Sequence, residues 1–171
     1  MVPTWDLVLL VFGGVSIVYS LMLKEKVVVT LLGAYAAMIV SDRWGVALYQ
    51  LIQKQSSGVL SEQFLHGNVS VLTVQIILFA AVMLIISLRG GVLIHPDSVG
   101  EGFMSYLVLM AYGLLTAAVI ASVVLGFVPK DQLTVIYENS KFAKYLVDYQ
   151  AWLLIAPLIL MFVSGWGQRL D

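Results

Sequence analysis

The chain has 171 residues, of which 61% are hydrophobic and 11% charged, and its formal net charge is −1. Soluble domains carry about 25% charged residues. This composition, with a mean hydropathy of +0.99, therefore predicts an integral membrane protein and excludes a basic nucleic-acid-binding class. Cysteine is absent, which excludes disulfides, thiolate catalysis and Cys-ligated metal centres. We expect an all-α, polytopic transmembrane helical bundle that forms a single membrane domain over residues 1–171, with the lipid bilayer as its surroundings.

Two apolar segments, 7–23 and 27–40, open the chain and are separated by Lys24-Glu25-Lys26. Three charges at the centre of one long span would be expensive, so the pattern favours a tight helical hairpin over a single helix with a charged bend. Residues 44–55 then place apolar side chains on one side at helical spacing. This pattern predicts an amphipathic helix that either lies on the membrane surface or extends the second span.

The third and fourth predicted spans, 69–88 and 103–128, contain no charged residue. The fourth would be about 39 Å long at ~1.5 Å per residue, enough to cross a hydrocarbon core of about 30 Å. Its small residues recur every fourth position in two neighbouring ladders, a spacing that lets helix backbones approach closely. With two positions of the second span, the predicted helix-packing residues are Gly33, Ala37, Gly113, Ala117, Ala121, Ala118, Ser122 and Gly126. The alternative is an Ala-rich anchor that faces lipid.

After Pro129, we expect a connection over 130–137 and a second amphipathic helix over 139–150 with an aromatic face. The apolar segment 151–164 is short and contains Pro157. It is predicted to be a fifth span, a re-entrant segment or an interfacial helix. Aromatic side chains near the ends of the predicted helices are expected to anchor the protein at the membrane interface. They are Trp5, Trp44, Tyr145, Tyr149 and Trp152.

The sequence offers little catalytic chemistry. The four main apolar segments contain no Asp, Glu, Lys, Arg or His, and their Tyr19, Tyr35, Gln75 and Tyr112 predict interhelical hydrogen bonds rather than a transport path. No GxSxG, HExxH, P-loop or dinucleotide fingerprint occurs. His66 and His95 fall short of the three or four converging ligands that a metal needs. We expect no enzymatic activity, no cofactor and no metal. A pore that forms between protomers is the alternative.

One family pattern runs through the chain. Trp5-Asp6 precedes a span rich in small residues, and Ser20-Leu21, a charged turn, the stretch 31–37 (LLGAYAA) and Ser41 follow. Asn139-Ser140 later precedes an aromatic amphipathic helix. This pattern resembles the CvpA (colicin V production protein) family of bacterial inner-membrane proteins.

The resemblance implies a place in the bacterial cytoplasmic (inner) membrane. It also implies a non-enzymatic role in envelope maintenance or export-linked processes. The family typically has Arg-Gly-Phe at the first turn, where this chain has Leu23-Lys24-Glu25, so no functional residue is carried over. The small-residue faces predict a partner that is a second copy of the chain or another membrane protein, and no nucleic acid.

Overall fold

A computed structural model describes residues 5–55, 70–89 and 103–166. Within these ranges the protein is all-helical, with seven α-helices and a 3-10 turn, Lys24–Lys26, between the first two. The helices are α1 (Trp5–Met22), α2 (Val27–Gln55), α3 (Val71–Arg89), α4 (Phe103–Gly126), α5 (Lys130–Asn139), α6 (Lys141–Asp148) and α7 (Gln150–Trp166). The first four are long and apolar enough to cross a membrane. The predicted fold class is confirmed.

The chain reverses direction between α1 and α2. The hydroxyl oxygens of Tyr19 and Thr30 lie 3.4 Å apart, whereas a straight helix would separate residues eleven positions apart by about 16 Å. This reversal is the hairpin expected from the charged turn. The two helices nevertheless make few contacts with each other, because α1 packs chiefly on α4 and α2 packs chiefly on α3.

The core of the bundle lies between α2 and α4. Its buried members come from three helices: Val27, Leu31, Ala34, Ala37, Phe79, Tyr112, Val119 and Val123. The rings of Phe79 and Phe127 meet edge to face with centroids 6.2 Å apart. In contrast, α1 exposes most of its apolar side chains, as for Leu10, and α3 exposes one apolar face, which includes Ile77. This is the arrangement expected when lipid surrounds the bundle.

The structure changes the predicted ends of the second and fourth spans. Residues 44–55 are helical, but they continue α2 without a break, so the second of the two alternatives holds. Ser41-Asp42-Arg43 contains no Gly or Pro to end the helix, and α3 packs alongside as far as Gly45. The fourth span ends at Gly126 rather than at 128, three residues before Pro129, which stands outside the helix.

The region after Pro129 differs most from expectation. The predicted connection 130–137 is wrong, because these residues form most of α5. The predicted helix 139–150 is interrupted at both ends, since Asn139 ends α5 and Gln150 begins α7. Ser140 adopts an extended backbone (φ −147°, ψ 116°) that separates α5 from α6. The axes of α6 and α7 differ by 71° across Tyr149, so the apolar segment 151–164 enters the bundle as a separate helix with Pro157 inside it.

Candidate functional site

A polar contact joins the start of α1 to the segment between α5 and α6. The carboxylate of Asp6, in the first turn of α1, accepts a short hydrogen bond from the hydroxyl of Ser140. It also accepts a hydrogen bond from the backbone N–H of Phe142 at 3.3 Å. The Ser140 hydroxyl in turn accepts from the N–H of Ala143 at 3.0 Å. The first N–H groups of a helix have no acceptor within the helix. In α6, Asp6 of α1 accepts from one of them and the capping residue Ser140 accepts from another.

The electrostatics of this corner suit the contact. A negative charge near a helix N-terminus is stabilised by the partial positive charge of the helix dipole, and Asp6 supplies that charge to α6. Ser140 is 2% exposed and Ala143 is fully buried. Asp6 and Ser140, 134 positions apart in sequence, thus clamp the start of α1 onto the amphipathic helix.

Near the C-terminal end of α1, at Ser16 and Ser20, the backbones of α1 and α4 are in close contact. A Cβ atom added to Gly113 of α4 would lie 2.5 Å from Ser20 Oγ and 2.8 Å from the backbone oxygen of Ser16. Ser20 is fully buried, and its hydroxyl donates to the Ile17 carbonyl at 2.7 Å. Gly113, a predicted packing position, is thus the point where α1 and α4 touch backbone to backbone. Nearby, the Lys24 ammonium lies 4.8 Å from the centre of the Tyr106 ring.

The other predicted packing residues of α4 have different surroundings. Ala117 and Ala121 are buried on the α1 side of α4, with Ala118 beside them at intermediate exposure. Ser122 is fully buried, and its hydroxyl donates to its own helix at Val119. Gly126 is exposed, and an added Cβ would lie 3.3 Å from the Gln150 amide nitrogen at the start of α7.

Small residues also set the α2–α3 contact. Ala37 is fully buried, and an added Cβ on Gly33 would lie 3.1 Å from the Ile86 side chain. Sequence reasoning missed Gly45, which packs directly on the Gln75 side chain. The signal was present, because Gly45 continues the run Gly33, Ala37 and Ser41 at a spacing of four, but Gly45 lies outside the predicted span 27–40.

The polar side chains of the spans are distributed over separate contacts. The Tyr35 hydroxyl donates to the Leu154 carbonyl of α7 at 2.5 Å, next to the carbonyl of Leu153 that Pro157 deprives of its helical donor. Tyr19 bonds to α2 across the turn, and Gln75 is buried against Gly45. Among the described residues, the Ser41 hydroxyl is the buried side-chain group without a hydrogen-bond partner.

A cleft separates α1 from α4 at the Asp6 end. Its volume is about 420 Å³, and its lining is apolar. Small residues line both helix walls, while leucine, isoleucine and phenylalanine side chains line the remainder. The small residues are Gly13, Gly14, Ala117, Ala118 and Ala121. A Cβ added to Gly13 or Gly14 would meet nothing within 4 Å. The small residues here therefore border an open cleft, whereas Gly113 is in contact with the facing helix.

The predicted interface anchors all carry exposed side chains: Trp5, Trp44, Tyr145, Tyr149 and Trp152. The rings of Tyr145 and Tyr149 stack with centroids 6.2 Å apart. Trp5 precedes Asp6, so it belongs to the same end of the bundle as α6 and its two tyrosines. Their insertion into headgroups stays a prediction. At this corner, burial and then the nearby Asp148 carboxylate raise the pKa of Tyr137 in α5.

The described ranges contain no group of three or more acidic or histidine side chains placed to hold a metal ion. His66 and His95 lie outside these ranges. Comparison with family models, curated proteins and solved structures finds no significant match to the chain.

Proposed function

We propose that the protein is a non-enzymatic scaffold or accessory protein of the bacterial cytoplasmic membrane. In this proposal it acts in envelope maintenance or an export-linked process, as the resemblance to the CvpA family implies. The observation that carries the proposal is the contact between Asp6 and Ser140. These residues belong to the two distant segments on which the resemblance depends, and in the folded chain they form one clamp.

The packing of the spans supports a structural role. Gly33, Ala37 and Gly113 bring pairs of helices close together within the chain. The outer faces of α1 and α3 expose large apolar side chains, including Val11, Val18, Ile77 and Ile85. A scaffold holds such faces in fixed relative positions, where a second copy or another membrane protein can pack against them.

The alternative is a subunit of a pore or transporter that assembles as an oligomer. A wet path needs hydroxyl and amide groups that converge on one axis. In the described residues, Tyr35, Gln75 and Thr116 are instead used in three separate contacts. This distribution favours the scaffold.

Introduced cysteines test the proposal, because the chain has none of its own. In native membranes, bifunctional crosslinking from Ile77→Cys or Val18→Cys, followed by affinity purification, should recover a defined partner or a dimer. Val74→Cys, which is buried against the bundle, is the matched control and should recover nothing. No adduct from any outward position would refute the scaffold.

The accessibility of introduced cysteines to water distinguishes the pore from the scaffold. Ser41→Cys and Thr116→Cys should resist a membrane-impermeant maleimide when they lie inside a dry bundle, as both native side chains are buried. Rapid labelling of both from the aqueous phase would instead favour a pore, while labelling of neither supports the scaffold.

A further inference from the structure

We propose that the protein forms a parallel dimer through α2, in which Asp42 of each copy pairs with Arg43 of the partner subunit. The contact surface is the α2 stripe, which consists of Leu32, Ile39 and Val46 with the two charged residues beside them. The inference goes beyond the scaffold role and does not depend on it, because a pore subunit would form the same dimer.

The continuity of α2 places two charges within the hydrocarbon layer. The charged turn Lys24–Lys26 precedes α2 and marks one boundary of the layer, since its charges belong among the headgroups. Asp42 lies about 24 Å further along the helix at ~1.5 Å per residue. A hydrocarbon core of about 30 Å therefore extends about 6 Å past Asp42, and Arg43 is the next residue.

The register of α3 against α2 gives the same result. An added Cβ on Gly45 would meet the Gln75 side chain near the start of α3, and one on Gly33 would meet a side chain near its end, so the two helices are antiparallel. Gln75 is four residues inside the start of α3 at Val71, and Asp42 is three residues deeper than Gly45. Asp42 thus lies about 10 Å below the first residue of α3 at ~1.5 Å per residue.

Neither charge has a partner within the described part of the chain. The side chains of Asp42 and Arg43 are exposed, and no ion pair or hydrogen bond joins either of them to another described residue. Adjacent residues of a helix do not face each other. Charged residues inside a membrane span are costly and normally pair with one another in the interior of a bundle. Here both face outward, so the pairing must come from outside the chain.

The direction of α2 keeps the acidic side chain away from water. Cα–Cβ bonds in an α-helix tilt toward its N-terminus, and in α2 that direction leads back toward Lys26 and the centre of the bilayer. A long arginine side chain bends back to the interface, but the carboxylate of Asp42 stands on a single methylene group. A cation from a neighbouring helix is therefore the partner that stabilises Asp42 at this depth.

The residues around the two charges form a stripe that suits a second copy of the same helix. Leu32, Ile39 and Val46 recur every seven residues and are 44%, 62% and 45% exposed. A seven-residue apolar repeat is the pattern with which two helices pack side by side. Asp42 and Arg43 lie about 50° to either side of the line from Ile39 to Val46, at ~100° per residue.

A two-fold axis along the bilayer normal makes this arrangement self-complementary. The axis keeps the two copies of α2 parallel and at one depth, and it brings the acidic side of each stripe to the basic side of the other. Asp42 then meets the partner's Arg43 at two symmetric places. A different membrane protein would have to carry an acid and a base at the same depth and spacing, whereas a second copy always does. The charges therefore identify the occupant as a second copy of this chain.

The first experiment maps the contact with single cysteines in a chain that has none. In native membranes treated with copper phenanthroline, Ile39→Cys and Val46→Cys should form disulfide-linked dimers at least fivefold faster than Leu51→Cys. Leu51 is an exposed residue of α2, but it lies about 140° around the helix from Val46 at ~100° per residue. Equal rates at the three positions, or no dimer at Ile39 and Val46, would overturn the proposal.

The second experiment tests the charge pairing between copies. The purified protein is reconstituted in vesicles of phosphatidylethanolamine and phosphatidylglycerol, and dimers are measured by energy transfer between copies that carry donor or acceptor dyes. Asp42→Arg leaves two positive charges at the contact and Arg43→Asp leaves two negative ones. Each variant alone should dimerise about tenfold more weakly than the parent, because like charges then face each other. A mixture of the two variants should recover energy transfer between them, because the contact is again complementary in charge.

Recovery on mixing separates charge pairing from damage to the fold, which mixing does not repair. Lys26→Gln, at the turn before α2, is the control and should dimerise like the parent. A parent that stays monomeric in these vesicles, or a mixture with no more transfer than either variant alone, would overturn the dimer. The scaffold is tested from other helices, at Val18 and Ile77, so failure of the α2 contact refutes this inference alone.

Discussion

The close approach of α1 and α4 at Gly113 gives the sharpest test of the packing. In Gly113→Ala, the new methyl group would lie 2.8 Å from the Ser16 carbonyl oxygen, well inside the 3.4 Å at which ordinary contact begins. A backbone atom cannot rotate away, so the two helices must separate or tilt. Overpacking of this kind costs about 1–3 kcal/mol.

The assay is reversible unfolding in mixed micelles, read as the free energy of unfolding. Gly113→Ala should lower it by about 1–3 kcal/mol relative to Gly14→Ala, since both changes gain the same helix propensity. Gly14→Ala is the matched control, since its methyl group meets nothing within 4 Å, and alanine favours a helix over glycine by about 1 kcal/mol. The control should therefore be unchanged or more stable.

A second-site change tests the cause. Ser20→Gly removes two of the three nearest atoms that the Gly113→Ala methyl group would meet, so the double variant should recover part of the lost free energy, as contacting residues couple. If Gly113→Ala is as stable as Gly14→Ala, or if Ser20→Gly adds its own cost in full, the backbone contact does not limit the packing and the reasoning fails.

Three further predictions concern the polar contacts. Asp6→Asn should weaken the capping of α6 by about 1 kcal/mol, seen as faster hydrogen exchange in α6, and unchanged exchange would contradict the clamp. Tyr35→Phe removes the hydrogen bond to α7 and should lower the free energy of unfolding by about 0.6–1.7 kcal/mol; full stability would show that the bond is not needed to hold α7. The folded protein raises the pKa of Tyr137 above its ordinary value of 10.0. The stability linked to the protonated phenol is therefore fully present below pH 10.0 and is lost as the pH rises through the raised pKa. Alkaline titration of tyrosinate absorbance should show a lower pKa for Tyr137 in Asp148→Asn, and an unchanged pKa would exclude that carboxylate as a cause.

The long charge-free segments made the four main helices predictable, because hydrogen-bond satisfaction in lipid leaves few alternatives to a helix. The hairpin at Lys24 followed from the cost of buried charge. These predictions needed only local sequence and the properties of the bilayer. Gly113 was identifiable for the same reason, as small residues at a spacing of four mark a helix contact.

Other features depend on partners that are distant in sequence. The helix α5 was missed because its segment is polar overall, although Leu133, Ile136 and Tyr137 follow helical spacing. The pairing of Asp6 with Ser140 depends on the position of α1 relative to the corner between α5 and α6, which periodicity does not encode. The cleft could not be predicted from the sequence for a similar reason. Small residues make a helix contact at Gly113 but line an open cleft at Gly13 and Gly14, and their spacing does not distinguish the two cases.

The order of the helices in the bundle has a consequence for synthesis. The main neighbour of α1 is α4, and about 80 residues of chain separate them. At about 5–20 residues per second, α1 leaves the ribosome roughly 4–16 s before the start of α4 is available. During that interval its serine-bearing stripe at Ser16 and Ser20 has no native neighbour, so α1 must wait in the bilayer, or beside an insertion factor, until translation supplies Gly113.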